Sequence, residues 1–161
     1  MSKWKTIYLP AVLRMTFSFI FLWAFFDKAF GLGFSTPGNK AWINGGSPTM
    51  GFLSGVKGPF ASVFNTMAGN GLVEWLFMLG LLGIGIGLLF GVAKKITGWS
   101  GVLMMLFMWL AVLPIKSNLF VDDHIIYLLL FLVYMQLEEI PVSLNQWWNT
   151  LPMVKKNSWL Q

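Results

Sequence analysis

Cysteine is absent from the 161 residues. That excludes disulfides, thiolate metal sites, thiol–disulfide exchange and covalently attached haem. Histidine occurs once, so bis-histidine haem ligation is excluded. No carboxylate pair stands at dinuclear-metal spacing with histidines. No metal and no haem are expected, and any redox group the chain serves is borrowed. Charge is scarce as well: 11% of residues are charged, against roughly 25% in soluble domains. Hydrocarbon is abundant instead, with 57% hydrophobic residues and a mean hydropathy of +0.70. A soluble fold of this size cannot hide so much apolar surface, because much of any small domain stays exposed. The expected class is an integral membrane protein, a single membrane domain over 1–161 whose first partner is the lipid bilayer. Basic residues outnumber acidic ones by 11 to 6. In a membrane protein this bias reports topology, not nucleic-acid binding.

The apolar runs predict four transmembrane helices over 7–29, 71–92, 99–115 and 122–140, each near the ~20 residues that a span needs. The resulting fold is an all-α four-helix bundle. Lys3 and Lys5 precede the first run as in a signal peptide. That run outlasts an h-region and no small-residue cleavage site follows, so a retained helix is expected. Trp4, Tyr8 and Trp23 fit aromatic belts. The connection 31–70 is rich in turn residues. Trp42, Phe52, Phe60 and Phe64 punctuate it, so an ordered cap is expected, with a short helix over 59–67 lying against the bilayer. Gly83, Gly87 and Gly91 recur every four residues and predict a smooth helix-packing stripe. A turn is expected at Lys116-Ser117-Asn118. The tail 141–161 sets tryptophans beside lysines and reads as an interfacial segment.

Four spans put both termini on one side. Lys3, Lys5, Lys94, Lys95, Lys155 and Lys156 gather there, against Lys28, Lys40, Lys57 and Lys116 opposite. The bias favours cytoplasmic termini in the plasma membrane and an extracytoplasmic 31–70 loop. Asp27, Lys28, Glu74, Lys116, Asp122, Asp123 and His124 then all lie at the outer ends of their helices. Asp122 is a good N-cap, and Asp123 suits the helix dipole. Asp27 has Lys28 or Lys116 as candidate partners, and Glu74 has His124. The competing reading is ordinary interfacial charge. The functional reading is a roofed pocket whose carboxylates and His124 exchange protons, since histidine titrates near neutral pH. Arg14 lies roughly 13 Å deeper than Lys5 on a straight helix. An ion pair with Glu138 or Glu139 is expected, because a lone intramembrane charge is costly. His124, Tyr127, Phe131, Tyr134 and Glu138 share one helix face. That face either packs inward or lines a slot for a flat quinone ring.

Leu13-Arg14, the run Phe21-Leu22-Trp23-Ala24-Phe25-Phe26-Asp27-Lys28, the stretch from Ala41 to Leu53 and Asp122-Asp123-His124-Ile125-Ile126-Tyr127 resemble the DoxX family. Within it they resemble the DoxD-like membrane subunits. The resemblance runs to about Leu137 and leaves out the tryptophan-rich tail. It implies a membrane subunit of a thiosulfate:quinone oxidoreductase that works with a second, DoxA-like subunit. The expected cofactor is therefore a quinone. Lys28, Lys116 and Lys40 would supply cations for an anionic substrate.

Together these readings assign proton handling to His124, Asp123 and Glu74. Ligand binding falls to Lys28, Lys116, Asp27, Asp122, Trp42 and Tyr127, and the structural ion pair to Arg14 and Glu138. The alternative is a non-catalytic scaffold that recruits a redox or oxidative-stress enzyme through the first loop. A small-solute transporter is disfavoured, since neither inverted repeats nor broken helices are evident. A homo-oligomer stays open.

Overall fold

The computed structural model describes residues 7–116 and 119–161. The expectations placed on Lys3, Trp4, Lys5, Ser117 and Asn118 lie outside them. The described residues are helical, with no strand among them. Helix α1 spans Leu9–Phe30, with Pro10 in the first turn, where its missing N–H costs nothing. It ends at Gly31, whose φ of +66° needs glycine and whose missing Cβ leaves room for Gly38. Two 3-10 turns, Gly38–Lys40 and Trp42–Asn44, follow. The short helices α2, Met50–Leu53, and α3, Ala61–Met67, come next. The connection is therefore ordered, and α3 is the short helix expected over 59–67.

Helix α4 spans Gly71–Phe90. Asn70 caps it, its Oδ1 accepting from Leu72 N at 3.0 Å and Val73 N at 3.3 Å. Gly91 ends it in the left-handed conformation, two residues short of the expected 92. Helix α5 spans Lys94–Val112 and begins five residues before the expected 99. Lysines oppose the dipole at a helix start. Here their heads reach across the fold: Lys94 Nζ donates to Leu137 O at 2.7 Å and Lys95 Nζ to Ser158 O at 2.9 Å. Helix α6, Asp123–Gln136, is shorter than the expected 122–140. Two exposed carboxylates, Glu138 and Glu139, would oppose the dipole at its C-terminus, and Pro141 turns Ile140 away from helix.

Helices α1, α4 and α5 are long and apolar enough to cross a membrane. At 14 residues α6 measures about 21 Å, less than the ~30 Å hydrocarbon thickness. Helix α1 packs on α4, α4 on α5 and α5 on α6. Ser18 of α1 donates to Gly85 O at 2.7 Å. Gly87 of α4 sits against Thr97, and Gly98 and Gly101 of α5 against Met135 and Phe131. These contacts make each neighbouring pair antiparallel. One core joins all four helices: Phe17 and Phe21 of α1, Met78, Leu81, Ile84 and Leu88 of α4, Met105 of α5, and Phe131 and Tyr134 of α6. The Phe17 and Phe131 rings lie 4.8 Å apart and close the circuit between α1 and α6. Leu13, Phe19, Leu79, Leu103 and Leu129 are each more than half exposed. Such outward hydrocarbon suits lipid, not water.

The tail continues with α7, Asn145–Trp148, and α8, Pro152–Lys156. It folds back beneath the bundle. Leu144 N donates to Phe90 O at 2.8 Å, and Val154 is buried. The glycine stripe does not serve one neighbour. Gly87 meets α5, Gly91 is a helix cap, and a Cβ on Gly83 would meet nothing within 4 Å.

Candidate functional site

Antiparallel packing brings the ends of α1 and α5 and the starts of α4 and α6 to one face of the fold. Residues 31–70 pack over this loop end. Leu53, Val56 and Phe64 form a small core with Ala111, and Trp42 packs edge-on against Trp75 at 4.6 Å. Asp27, Lys28, Glu74, Lys116, Asp122, Asp123 and His124 all stand at this end. Among the described residues none of the expected pairs makes a close contact, although Asp27 acts on Lys28 electrostatically. Asp27 is buried, and its carboxylate closes the chain reversal after α1. Oδ1 accepts from Phe34 N at 3.1 Å, and Oδ2 from Ser35 N at 3.0 Å and Ser35 Oγ at 2.5 Å. A carboxylate so engaged holds backbone and is not a ligand group. Glu74 accepts from the Ser47 hydroxyl, which also accepts from Met50 N at 3.0 Å. It ties the loop to α4 in place of meeting His124.

Among the described residues one ion pair occurs, His124 Nδ1 to Asp122 Oδ2 at 2.7 Å. The other Asp122 oxygen caps α6, accepting from His124 N at 3.1 Å and Ile125 N at 3.3 Å. One aspartate thus starts the helix and aims the imidazole. The contact holds the ring through Nδ1, and the His124 side chain is 23% exposed. Asp123 and Lys116 point outward and are exposed.

Arg14 does not pair with Glu138, which is exposed. Its guanidinium is buried at the opposite, tail end. Nη1 donates to Leu88 O and, at 2.7 Å, to Leu89 O, while Nη2 donates to Val142 O at 2.7 Å and Pro141 O at 3.3 Å. The last turn of α4 leaves carbonyls without helical partners and carries the negative end of its dipole. Those carbonyls and the following turn engage both Nη atoms without a carboxylate, while Nε is buried with no hydrogen-bond partner among the described residues.

The middle of the α6 face packs inward. Phe131 and Tyr134 are buried in the shared core, and Tyr127 packs on Phe17 at 5.3 Å. Space lies between α4 and α5 instead. Gly87 and Thr97 bring these helices together near the tail end. Toward the loop end they enclose a cleft of about 490 Å³. Val73, Leu76, Phe77 and Gly80 form one wall; Ser100, Leu103, Met104, Phe107, Met108 and Ala111 form the other. Thr49, Phe52, Leu53, Phe64 and Met67 roof it. Leu76, Leu103 and Phe107 are about half exposed, so the cleft opens sideways along the bundle. Lys28 is the one charged residue in the lining among those described. The Thr49 hydroxyl in the roof is buried and has no hydrogen-bond partner among them. An apolar cavity with a few polar groups at one end is the usual form of a small-molecule site.

Of the expected ligand residues, Lys28 alone lines the cleft; Lys116, Asp27, Asp122, Trp42 and Tyr127 do not. Sequence reasoning missed Thr49, Gly80, Ser100 and Met104. Ser100 alone carried a signal, as a hydroxyl within an apolar run. Neither protein-family models nor curated proteins nor solved structures match this chain.

Proposed function

We propose that this chain is the membrane subunit of a quinone-linked oxidoreductase and that the α4–α5 cleft receives the quinone. In this reading α6 is the fourth span, the bundle lies in the plasma membrane and the loop end faces outward. The observation that carries it is a hydrocarbon-walled cleft of about 490 Å³ with three side-chain hydrogen-bond donors, Lys28, Thr49 and Ser100, in its lining. A quinone ring is flat and apolar, and its carbonyl oxygens accept hydrogen bonds. Side-on access lets a lipid-dissolved quinone arrive without crossing water. His124, aimed by Asp122 at the same end, takes up or releases the protons that accompany quinone turnover. A sulfur compound such as thiosulfate as electron donor rests on the DoxX resemblance, as does a DoxA-like second subunit.

The test is saturable binding of a short-chain benzoquinone to the purified protein in nanodiscs of zwitterionic lipid. Gly80→Leu fills the space beside Met104 and is expected to abolish binding. Absence of binding to the wild type sinks the proposal. A second reading, a scaffold recruiting a redox enzyme, draws on Phe34 and Ile43, which stand exposed on the covering loop. It predicts no quinone binding and co-purification of a partner that Phe34→Ser and Ile43→Ser weaken.

A further inference from the structure

We propose a second ligand class for this cleft: a single-chain amphiphile with a carboxylate head. The inference rests on the cleft itself and not on its use by a quinone. Lys28 is partly buried, lines the cleft and forms no ion pair among the described residues. Asp27 acts on Lys28 electrostatically but does not contact it, and its oxygens are already committed to Phe34 and Ser35. A cation in hydrocarbon without a contacting anion is costly, and an arriving anion removes that cost. Thr49 is 4% exposed, and its hydroxyl lacks a partner among the described residues. A carboxylate has two oxygens, one for the ammonium and one for the hydroxyl.

The rest of the cleft describes the remainder of the ligand. Its α5 wall runs from Ala111 back to Ser100, about 16 Å at 1.5 Å per residue. That is close to half of the ~30 Å hydrocarbon thickness. The gutter therefore follows one chain through one leaflet. A two-chain phospholipid would leave its second chain outside. A chain moving from lipid to an equally apolar wall gains little, since lipid tails are as apolar as leucine. Selection therefore falls on the head and on Lys28.

The experiment compares hexadecanoate with its methyl ester, the same chain without the charge, on the full-length protein in zwitterionic nanodiscs. The wild type is expected to bind the acid about tenfold more tightly, the scale of one charge-assisted hydrogen bond. Lys28→Gln should erase the preference and Lys28→Arg should keep it. Equal affinity for acid and ester, no binding of either, or a preference that survives in Lys28→Gln overturns the proposal. If Lys28→Gln does not fold, the acid–ester comparison on wild type and Lys28→Arg still decides it. A short-chain benzoquinone measured on the same samples separates the two readings. Quinone binding without an acid preference sinks only the carboxylate proposal, and the reverse sinks only the quinone.

Discussion

Two buried charges show how residues of one class serve different ends. Asp27 holds Phe34 and Ser35 against the end of α1, and its loss leaves two amides and a hydroxyl unmet. Asp27→Ala is expected to cost about 3 kcal/mol, because hydrogen bonds to a charged group contribute most and orphaned donors add a penalty. Thermal unfolding in mild detergent measures it; a loss under about 0.5 kcal/mol would deny the carboxylate that role. Arg14 binds four carbonyls from two segments through one planar group. A lysine offers a single ammonium and cannot span them, so Arg14→Lys should restore little of what Arg14→Met removes. Glu138→Gln, by contrast, should leave stability unchanged. An Arg14–Glu138 ion pair would make that substitution costly, so the melting temperatures of these variants discriminate directly between carbonyl and carboxylate as the partner of Arg14.

Among the elements, the glycines of α4 and α5 set how closely helices approach. A Cβ on Gly87 would strike Thr97, and one on Gly101 would strike the Phe131 ring, whereas one on Gly83 meets open space. Gly87→Ala and Gly101→Ala are expected to destabilise by about 1–3 kcal/mol through overpacking. Gly83→Ala should be neutral or stabilise by up to about 1 kcal/mol, because alanine loses less entropy in a helix. Equal effects at positions 83 and 87 would restore the single stripe that the four-residue spacing suggests. That spacing shows the glycines share a face, but which neighbour each meets depends on how the helices turn about their axes. The same limit governs helix ends. Apolar runs locate α1, α4 and α5, and Asp122 announces the start of α6. The start of α5 at Lys94 was not legible, because the carbonyls that hold its lysines belong to residues 137 and 158. Gly91 was legible as a small residue and not as a stop.

For the whole molecule, antiparallel connection alone brings seven scattered ionisable groups to one end, which is why that placement could be read from the sequence. Their partners could not, since Ser35 and Ser47 are unremarkable loop serines until the loop folds back. The cleft was illegible for a stronger reason: its walls come from residues 28, 49–67, 73–80 and 100–111, which only the tertiary fold brings together. The orientation we propose draws on the same connectivity. Lys94 Nζ binds Leu137 O, so the end of α6 lies beside the start of α5 although α6 is short for a full span. The tail, with Lys155 and Lys156, therefore stands at the face that holds Lys94 and Lys95, and Lys28, Lys40, Lys57 and Lys116 at the other. Lysines near the ends of spans are retained on the cytoplasmic side, so the orientation we propose has the loop end and the cleft mouth outside. The chain has no cysteine, so single substitutions report cleanly. Lys40→Cys is expected to react with a membrane-impermeant maleimide on intact cells, and Lys155→Cys only after permeabilisation. The opposite pattern would turn the protein over and place His124 and the head of any bound ligand on the cytoplasmic side. Reaction of both on intact cells would mean that α6 and the tail do not return across the bilayer, and that three helices alone span it.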